Sequence, residues 1–245
     1  MSMTKFSGSQ TEDKLHVALI MDGNGRWATR QGKARFQGHQ AGASRVREIV
    51  EAAPDLNIGT LTLFAFSSDN WRRPRYEVDF LMGLFQSYLK NEIEKCIKNG
   101  IRLSIIGRRD RLQPQIIDLI EHAEEVTAAG QNLHLRVAVD YSSKEMILQA
   151  AKRLSQESNI SMENFENLLT NSIYPWESSP DVDLLIRTGG EKRLSDFLLW
   201  ECAYAELYFT PVMWPDFSSE NFCEALGDFQ KRERRFGQIP QNAVV

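Results

Sequence analysis

Cysteine is scarce in this chain of 245 residues, where only Cys96, Cys202 and Cys223 occur. Because they are odd in number, far apart and form no Cys-x-x-Cys pair, they argue against a zinc ribbon or a disulfide framework. Long apolar runs are missing too, since no stretch approaches the roughly 18 residues that a membrane-spanning helix needs. The first fifteen residues are polar and lack the apolar segment of a signal peptide. These absences predict a soluble, cytoplasmic protein.

The chain also lacks an excess of positive charge. Its formal net charge of -4 at pH 7 argues against a nucleic-acid-binding domain. Apolar residues make up 42% and charged residues 25%, a balance that excludes a wholly disordered chain. Internal repeats and low-complexity linkers are absent, so we expect one domain over residues 16–237. The segment 1–15 and the tail 238–245 are expected to be flexible.

Short apolar runs alternate with longer amphipathic ones along the chain. The strand candidates are residues 17–21, 60–66, 102–106, 133–139 and 182–186, with a sixth near 207–209. Helical spacing marks the segment after Gly42 and residues 77–98, 113–129, 144–156 and 219–231. Apolar strands that alternate with helices form sheets covered on both faces. The pattern therefore predicts an α/β fold with a central, mostly parallel sheet.

The first strand candidate runs into a loop that combines a carboxylate, glycines and arginines. The loop consists of Asp22, Gly23, Asn24, Gly25, Arg26 and Trp27. In such folds ligands bind at the carboxyl ends of the strands, and glycines let backbone N–H groups approach them closely. A helix starting near Arg26 would add its positive end, and Arg35 would add a second guanidinium. The loop predicts a diphosphate cradle, although a tight turn with a solvated carboxylate has the same pattern.

A second polar loop follows the strand candidate that ends at Phe66. It contains Ser67, Ser68, Asp69, Asn70, Trp71, Arg72 and Arg73. These side chains offer hydrogen-bond donors and acceptors but no strong base. Serine, aspartate and asparagine are also ordinary turn residues, and a tryptophan here could simply anchor the core.

A third loop begins where an apolar strand ends directly on Arg187. A Gly-Gly pair follows, and then come Arg193, Leu194 and Ser195. This pattern predicts a second anion site, although a glycine turn with surface charges would look the same. Glu206 lies close behind in sequence, so Asp22 and Glu206 are the candidate metal ligands. Such a sparse carboxylate set suits Mg²⁺, which also binds phosphate oxygens.

Four stretches of the chain resemble the cis-prenyltransferases, the undecaprenyl diphosphate synthase family. They are HVALIMDGNGRWA, FAFSSDNWRRPRYEV, DLLIRTGGEKRLSDFLLWECAYAELYFT and the C-terminal pair WPDF and RERRFG. The resemblance implies a homodimeric α/β fold with a six-stranded, mostly parallel sheet and an apolar tunnel. It also implies magnesium-dependent condensation of isopentenyl diphosphate with an allylic diphosphate, such as farnesyl diphosphate.

The resemblance also implies roles for individual residues. Asp22 would be the essential carboxylate and a magnesium ligand together with Glu206, and Asn70 with Ser67 would serve proton removal. The residues implied for the allylic diphosphate are Gly23, Asn24, Gly25, Arg26, Arg35 and His39, and those for isopentenyl diphosphate are Arg187, Arg193 and Ser195. Further substrate-binding candidates are Trp27, Ser68, Asp69, Trp71, Arg73, Glu77 and Leu194. Arg235 and Gly237 match an element that reaches the active site across the dimer.

The implied product is a long chain, undecaprenyl diphosphate for the carrier lipid of the cell wall, and a lipid product of this kind allows transient membrane association. The small Ala65 and Leu133, at the tunnel-floor position, are the sizes expected for a long product. Three departures leave product length and substrate preference open. Residues 140–143 read Asp-Tyr-Ser-Ser where many members have Asn-Tyr-Gly-Gly, Lys192 replaces a common histidine, and Asp196 replaces a common asparagine. A short- or medium-chain synthase therefore remains an alternative.

Three other protein classes share parts of this pattern. A haloacid-dehalogenase-type phosphatase needs a second aspartate two residues from Asp22, where this chain has Ile20 and Asn24. A trans-prenyltransferase needs Asp-Asp-x-x-Asp motifs, which the chain lacks. A non-catalytic partner subunit would be expected to lose Asp22 or the Asn70 loop, and both are present. The sequence thus favours the enzyme.

Overall fold

The computed structural model describes residues 14–171 and 181–232, and the side chains of 170 and 171 are outside this description. The strands are β1 Leu15–Ile20, β2 Ile58–Ser67, β3 Ile101–Ile106, β4 Leu133–Tyr141, β5 Leu184–Arg187 and β6 Glu206–Phe209. The α-helices are α1 Asn24–Arg30, α2 Arg35–Ala52, α3 Arg75–Lys98, α4 Pro114–Thr127, α5 Ser143–Leu154, α6 Met162–Asn171 and α7 Ser219–Gln230. Short 3-10 helices span Pro54–Leu56, Ser68–Arg72 and Trp214–Asp216. The predicted flexible ends fall mostly outside the described residues.

The strands form one six-stranded sheet in the order β3-β4-β2-β1-β5-β6. Every pair of neighbours is parallel, which confirms the predicted sheet and its sixth strand. In β1, Val17 and Leu19 belong to one apolar core cluster, whereas Ala18 and Ile20 belong to a second. Because successive side chains of a strand point to opposite faces, helices cover both sides of the sheet. This double burial explains why the strands read as continuous apolar runs.

The helices largely follow their predicted positions, with two differences. Helix α2 begins at Arg35 rather than after Gly42, because the Gln37 side chain accepts a hydrogen bond from the Ala34 N–H at 3.1 Å and so fixes its first turn. Helix α6 was not predicted from the sequence. Its apolar residues Phe165 and Leu168 pack against the second core cluster. No helix within 14–171 or 181–232 is both long and apolar enough to cross a membrane.

Candidate active site

The carboxyl ends of β1, β2 and β5 lie together at one edge of the sheet and carry the predicted polar loops. Strand β1 lies between β2 and β5, and Ile20 is in register with Arg187. Asp22 therefore emerges beside Arg187, although 165 residues separate them in sequence. Ser67, at the end of β2, opens onto the same edge.

Asp22 lies at the centre of a charged cluster. Its Oδ2 accepts a hydrogen bond from Arg187 Nη2 at 3.0 Å and lies 3.3 Å from Arg26 Nη2. Its Oδ1 accepts from the Gly23 N–H at 2.6 Å. Burial alone would raise the pKa of Asp22, but the Arg187 hydrogen bond, the Gly23 N–H and the two guanidinium charges together lower it. The carboxyl group is therefore ionised at neutral pH.

The backbone of Asp22 is held by Thr188, a residue that the sequence analysis did not identify. Thr188 Oγ1 accepts from the Asp22 N–H at 2.9 Å and can donate to the Asp22 carbonyl at 2.8 Å. The next residue, Gly189, has a φ of +82°, and a Cβ there would lie 2.9 Å from Arg26 Nη2. The glycine after Thr188 is thus required by both conformation and space.

The third loop wraps around the Arg187 guanidinium. Arg187 is 4% exposed, and its Nη1 donates to the Arg193 carbonyl at 2.5 Å and to Ser195 Oγ at 2.8 Å. Leu194 packs against the second core cluster, and its neighbours Arg193 and Ser195 line the cavity described below. A buried guanidinium thus holds Asp22 and the third loop together.

Glu191 joins the two predicted anion sites. Its Oε1 lies 3.5 Å from Arg26 Nη1, and its Oε2 accepts from Arg193 Nη1 at 2.6 Å. A guanidinium from the first loop and one from the third therefore share one carboxylate. The sequence alone did not assign this role to Glu191. The available signal was that Glu191 is the one acidic residue between Arg187 and Arg193.

A second basic cluster lies between α2 and α3. Glu77 Oε1 is 3.1 Å from Arg73 Nη1, 3.7 Å from Arg35 Nη2 and 4.0 Å from His39 Nε2. Burial, together with the charges of Arg73 and Arg35, lowers the pKa of His39 to about 4 and outweighs the opposing effect of Glu77. His39 is therefore neutral at pH 7. A Cβ on Gly25 would lie 2.7 Å from the Arg35 guanidinium. The lack of a side chain at Gly25 therefore leaves the space that the Arg35 guanidinium occupies beside α1.

The second loop is a capped 3-10 turn that places Asn70 beside the other polar loops. Asn70 Oδ1 accepts from the Ser67 N–H at 3.1 Å, and Ser67 Oγ accepts from the Asp69 N–H at 3.0 Å. Ser68 instead turns toward β4, where its hydroxyl donates to Asp140 Oδ1 at 2.9 Å. Trp71 packs edge-on against the Phe66 ring.

Among the departures from the usual family residues, Asp196 contacts Ser142 and Ser143, whereas Asp140 contacts Arg111 and Ser68. Asp140 is fully buried with a φ of +51°, and its Oδ2 accepts from Arg111 Nε at 2.8 Å. Asp196 Oδ2 accepts from Ser142 Oγ at 2.5 Å, and Asp196 Oδ1 accepts from the Lys144 N–H at 2.9 Å. The substituted residues at the start of α5 therefore hold the loop that carries Ser195. Lys192 is exposed.

A cavity of about 620 Å³ runs from these polar loops along the sheet beneath α2 and α3. Its polar end is lined by Asp22, Asn24, His39, Ser67, Asp69, Asn70, Arg73, Arg187, Arg193 and Ser195. Its walls include Val46, Val50, Leu81, Phe85 and Leu89 from the helices and Leu103, Leu135 and Val137 from the sheet. Ala65 lines it, whereas Leu133 is buried in the adjoining core and is not among the lining residues. The dimensions suit a hydrocarbon chain with an anionic head.

Several predicted site residues lie elsewhere. Glu206 is in register with Leu184, three residues before Arg187, so it lies about 10 Å along the strand from the edge that carries Asp22. Its Oε2 accepts from Arg232 Nη1 at 2.8 Å. The strand register thus separates the Asp22 and Glu206 carboxylates of this chain, and the assignment of both as metal ligands stays a prediction.

Trp27 also lies apart from the cavity. Its Nε1 donates to Asp216 Oδ1 at 2.7 Å, and Lys33 Nζ lies 5.0 Å from its ring centroid. Helix α1 points this face toward the 3-10 helix Trp214–Asp216. Arg235 and Gly237 fall outside the described residues.

The fold and the cavity are suited to a ligand with an anionic head and an apolar tail. A profile of the family described as "Putative undecaprenyl diphosphate synthase" matches residues 20–237. "Isoprenyl transferase 1" of Bradyrhizobium diazoefficiens is 57% identical over 93% of this chain and 91% of its own length. The (2E,6E)-farnesyl-diphosphate-specific ditrans,polycis-undecaprenyl-diphosphate synthase of Vibrio vulnificus is 47% identical over 91% of this chain and 90% of its own.

A solved structure agrees with these sequence matches. Lavandulyl diphosphate synthase from Lavandula x intermedia, in complex with dimethylallyl diphosphate, superposes with a TM-score of 0.87 at 34% identity. The match covers 92% of this chain and 99% of that one. The chain belongs to the undecaprenyl diphosphate synthase family and is a transferase of the isoprenyl transferase class.

Proposed function

We propose that this chain condenses isopentenyl diphosphate with an allylic diphosphate, farnesyl diphosphate in the first instance, and makes a long cis-polyprenyl diphosphate. The observation that carries the proposal is the cavity with an apolar body and an arginine-rich mouth. Asp22 and Arg187 lie at that mouth, 3.0 Å apart. Residues 16–237 act as one catalytic domain in this proposal.

The two diphosphates have separate positions at the mouth. The allylic diphosphate binds the first loop and the cluster of Arg35 and His39, so that its tail enters the cavity. Isopentenyl diphosphate binds Arg193 and Ser195 on the third loop. Glu191 holds the Arg26 and Arg193 guanidiniums before substrate arrives, and a diphosphate takes over those ionic contacts on binding.

Asp22 fits a magnesium ion as a single carboxylate ligand. Mg²⁺ commonly takes one or two carboxylates together with substrate phosphate oxygens and water. The Asp22 carboxylate is ionised, and its side chain is 30% exposed at the mouth. Arg26 and Arg187 would oppose a bare cation beside Asp22, and the negative charge of a bound diphosphate would offset theirs. When bound, magnesium supplies charge neutralisation of the leaving diphosphate.

The reaction breaks the bond from C1 of the allylic chain to its diphosphate oxygen, and the diphosphate keeps both electrons. C1 then joins C4 of isopentenyl diphosphate, and C2 of that unit loses a proton. The Arg26 and Arg35 guanidiniums stabilise the charge that develops on the leaving group. Asn70 positions substrate but takes up no proton, because an amide is not basic. The proton goes to the released diphosphate, and the apolar walls keep water from the allylic carbon.

Product length follows from the same cavity. Ala65 lines it and is exposed although it lies on a central strand, so open space faces its methyl group. The Vibrio vulnificus relative is named for undecaprenyl diphosphate, which favours a long product. The structural neighbour is named for lavandulyl diphosphate, and a product of that kind is the alternative. We propose the long product, a homodimer in the cytoplasm, and a role in supplying the carrier lipid of the cell wall.

The test is an incubation of the full chain with labelled isopentenyl diphosphate and farnesyl diphosphate, with Mg²⁺ or with excess chelator. We expect magnesium-dependent label in apolar products, which chromatography after dephosphorylation would size. No condensation with any allylic diphosphate would refute the activity. Products of only two to four isoprene units would refute the long chain, and light scattering of the purified chain would test the dimer.

A further inference from the structure

The apolar cavity ends in charged residues at the end opposite to Asp22. Arg47 and Glu51 of α2 line that end together with Glu92 and Lys95 of α3. Arg47, Glu51 and Lys95 are exposed, whereas the Glu92 side chain is largely buried, and a buried carboxylate beside an apolar tail is unfavourable unless it is paired. They belong to no part of the diphosphate site.

These residues form one ionic cluster, here called the distal clasp and defined as Arg47, Glu92 and Lys95. Glu92 Oε1 accepts a short hydrogen bond from Arg47 Nη2, and Glu92 Oε2 lies 3.3 Å from Arg47 Nε. Lys95 Nζ lies 3.3 Å from both oxygens of Glu92. The Glu92 side chain is 12% exposed, against 46% for Arg47. The clasp therefore joins α2 to α3 through a carboxylate that faces inward.

Helices α2 and α3 are thus connected by polar groups at both ends of the cavity. Arg35 and His39 meet Glu77 near the mouth, and Arg47 meets Glu92 at the far end. Between these pairs both helices present apolar side chains to the cavity. Separation of the far ends needs the clasp to break, whereas separation near the mouth would disturb the substrate site.

The length of the cavity can be compared with the length of a product. Glu92 follows Glu77 by fifteen residues of α3, which is about 22 Å at 1.5 Å per residue. An extended isoprene unit adds about 5 Å, from four carbon–carbon bonds of about 1.5 Å, so about four units span this distance. This comparison places the end of a four-unit chain near the clasp.

We propose that the distal clasp is a length-dependent gate: chains of up to about four isoprene units grow with it closed, and longer chains grow only when Arg47 and Glu92 separate and let the tail pass between α2 and α3. The inference rests on the proposed function. Once the tail reaches the clasp, the next added unit must displace the Arg47–Glu92 ion pair rather than fill empty space. The gate therefore determines the fraction of chains that stop at about the cavity length.

The experiment measures the ratio of products of about four to five units to longer products, with limiting isopentenyl diphosphate. Glu92→Gln keeps the shape of the side chain but removes the charge, and this ratio should fall about fivefold. Arg47→Gln should lower the ratio by a similar factor, because Arg47 is the one clasp residue on α2, whereas Lys95 lies on α3 with Glu92 and does not join the two helices. The charge swap Arg47→Glu with Glu92→Arg should restore the wild-type ratio. Glu94→Gln, an exposed carboxylate two residues along α3, is the matched control.

The readouts separate the gate from a merely structural ion pair and from the activity itself. A structural role would lower the melting temperature of Glu92→Gln without changing the product ratio. An unchanged ratio in folded, active Glu92→Gln and Arg47→Gln would therefore overturn the gate. If Glu92→Gln does not fold, Arg47→Gln and the charge swap decide the question by the same ratio. If the wild-type chain condenses no substrate at all, the proposed function and this inference both fail. If every variant completes the first condensation, the activity is intact and the product ratio alone tests the gate.

Discussion

Replacing Asp22 with asparagine tests the centre of the proposed mechanism. The substitution keeps the volume of the side chain, and the new amide oxygen can still accept from the Gly23 N–H, as Asp22 Oδ1 does at 2.6 Å. What is lost is the negative charge beside Arg187 and Arg26, at 3.0 and 3.3 Å. Binding and turnover should respond differently to this loss.

Turnover should fall because Asp22 would hold the magnesium ion that neutralises the leaving diphosphate, and asparagine would hold that ion less well. Removal of one preorganised electrostatic contact typically costs about 100- to 1,000-fold in kcat, or about 2.7–4 kcal/mol. Substrate binding should not weaken in parallel, because the two guanidiniums released from Asp22 become available to the diphosphates. We therefore expect a large fall in kcat with KM values that stay level or decrease.

Steady-state kinetics with labelled isopentenyl diphosphate at saturating magnesium would measure both parameters, and thermal unfolding would check the fold. Asp110→Asn is a suitable control, because this carboxylate pairs with Arg108 outside the cavity at 2.6 Å. Near-normal kcat in Asp22→Asn, or a loss confined to KM, would show that the Asp22 charge does not act on the reaction.

Three further changes test other parts of the site and fold. Arg193→Ala should raise the KM for isopentenyl diphosphate more than the KM for the allylic substrate, by about 1.5–3 kcal/mol in binding energy; equal effects in steady-state kinetics would contradict the assignment. Ala65→Leu should shorten the products seen by chromatography, because its added carbons fill cavity space, and unchanged lengths would exclude Ala65 as a wall residue. Burial, with the charges of Arg136 and Arg102, lowers the pKa of His134 to about 3, so below about pH 6.5 the unfolded chain binds a proton that the folded chain refuses. This group should therefore lower the free energy of unfolding by up to about 1.4 kcal/mol for each pH unit of acidification. Urea titrations at several pH values should show that this free energy depends less steeply on pH in His134→Gln, by about that amount. An unchanged dependence on pH would contradict the prediction.

The sequence by itself determined the elements and the chemistry at their ends. Apolar runs such as 17–21 and 133–139 are strands because a doubly covered parallel sheet buries both faces. Parallel strands bring their carboxyl ends to one edge, so Asp22, Asn70 and Arg187 were correctly expected to lie together. The long α3 followed from its apolar periodicity. These features depend on patterns that are local in the chain.

The tertiary structure decided which charged groups meet. Strand register places Glu206 beside Leu184 rather than beside Asp22, and a count of residues along the sequence does not reveal that register. Glu191 is shared by Arg26 and Arg193 only because β1 and β5 are neighbours in the sheet. Periodicity placed α2 and α3 near the core without showing which faces meet.

The same limit applies to the distal clasp and to the residues that differ from the usual family pattern. Arg47 and Glu92 are 45 residues apart, and Ser142 and Asp196 are 54 apart. In sequence each reads as an ordinary surface or turn residue. Their contacts arise from helix packing and loop closure, because long side chains reach partners that only the assembled layers bring within hydrogen-bonding distance.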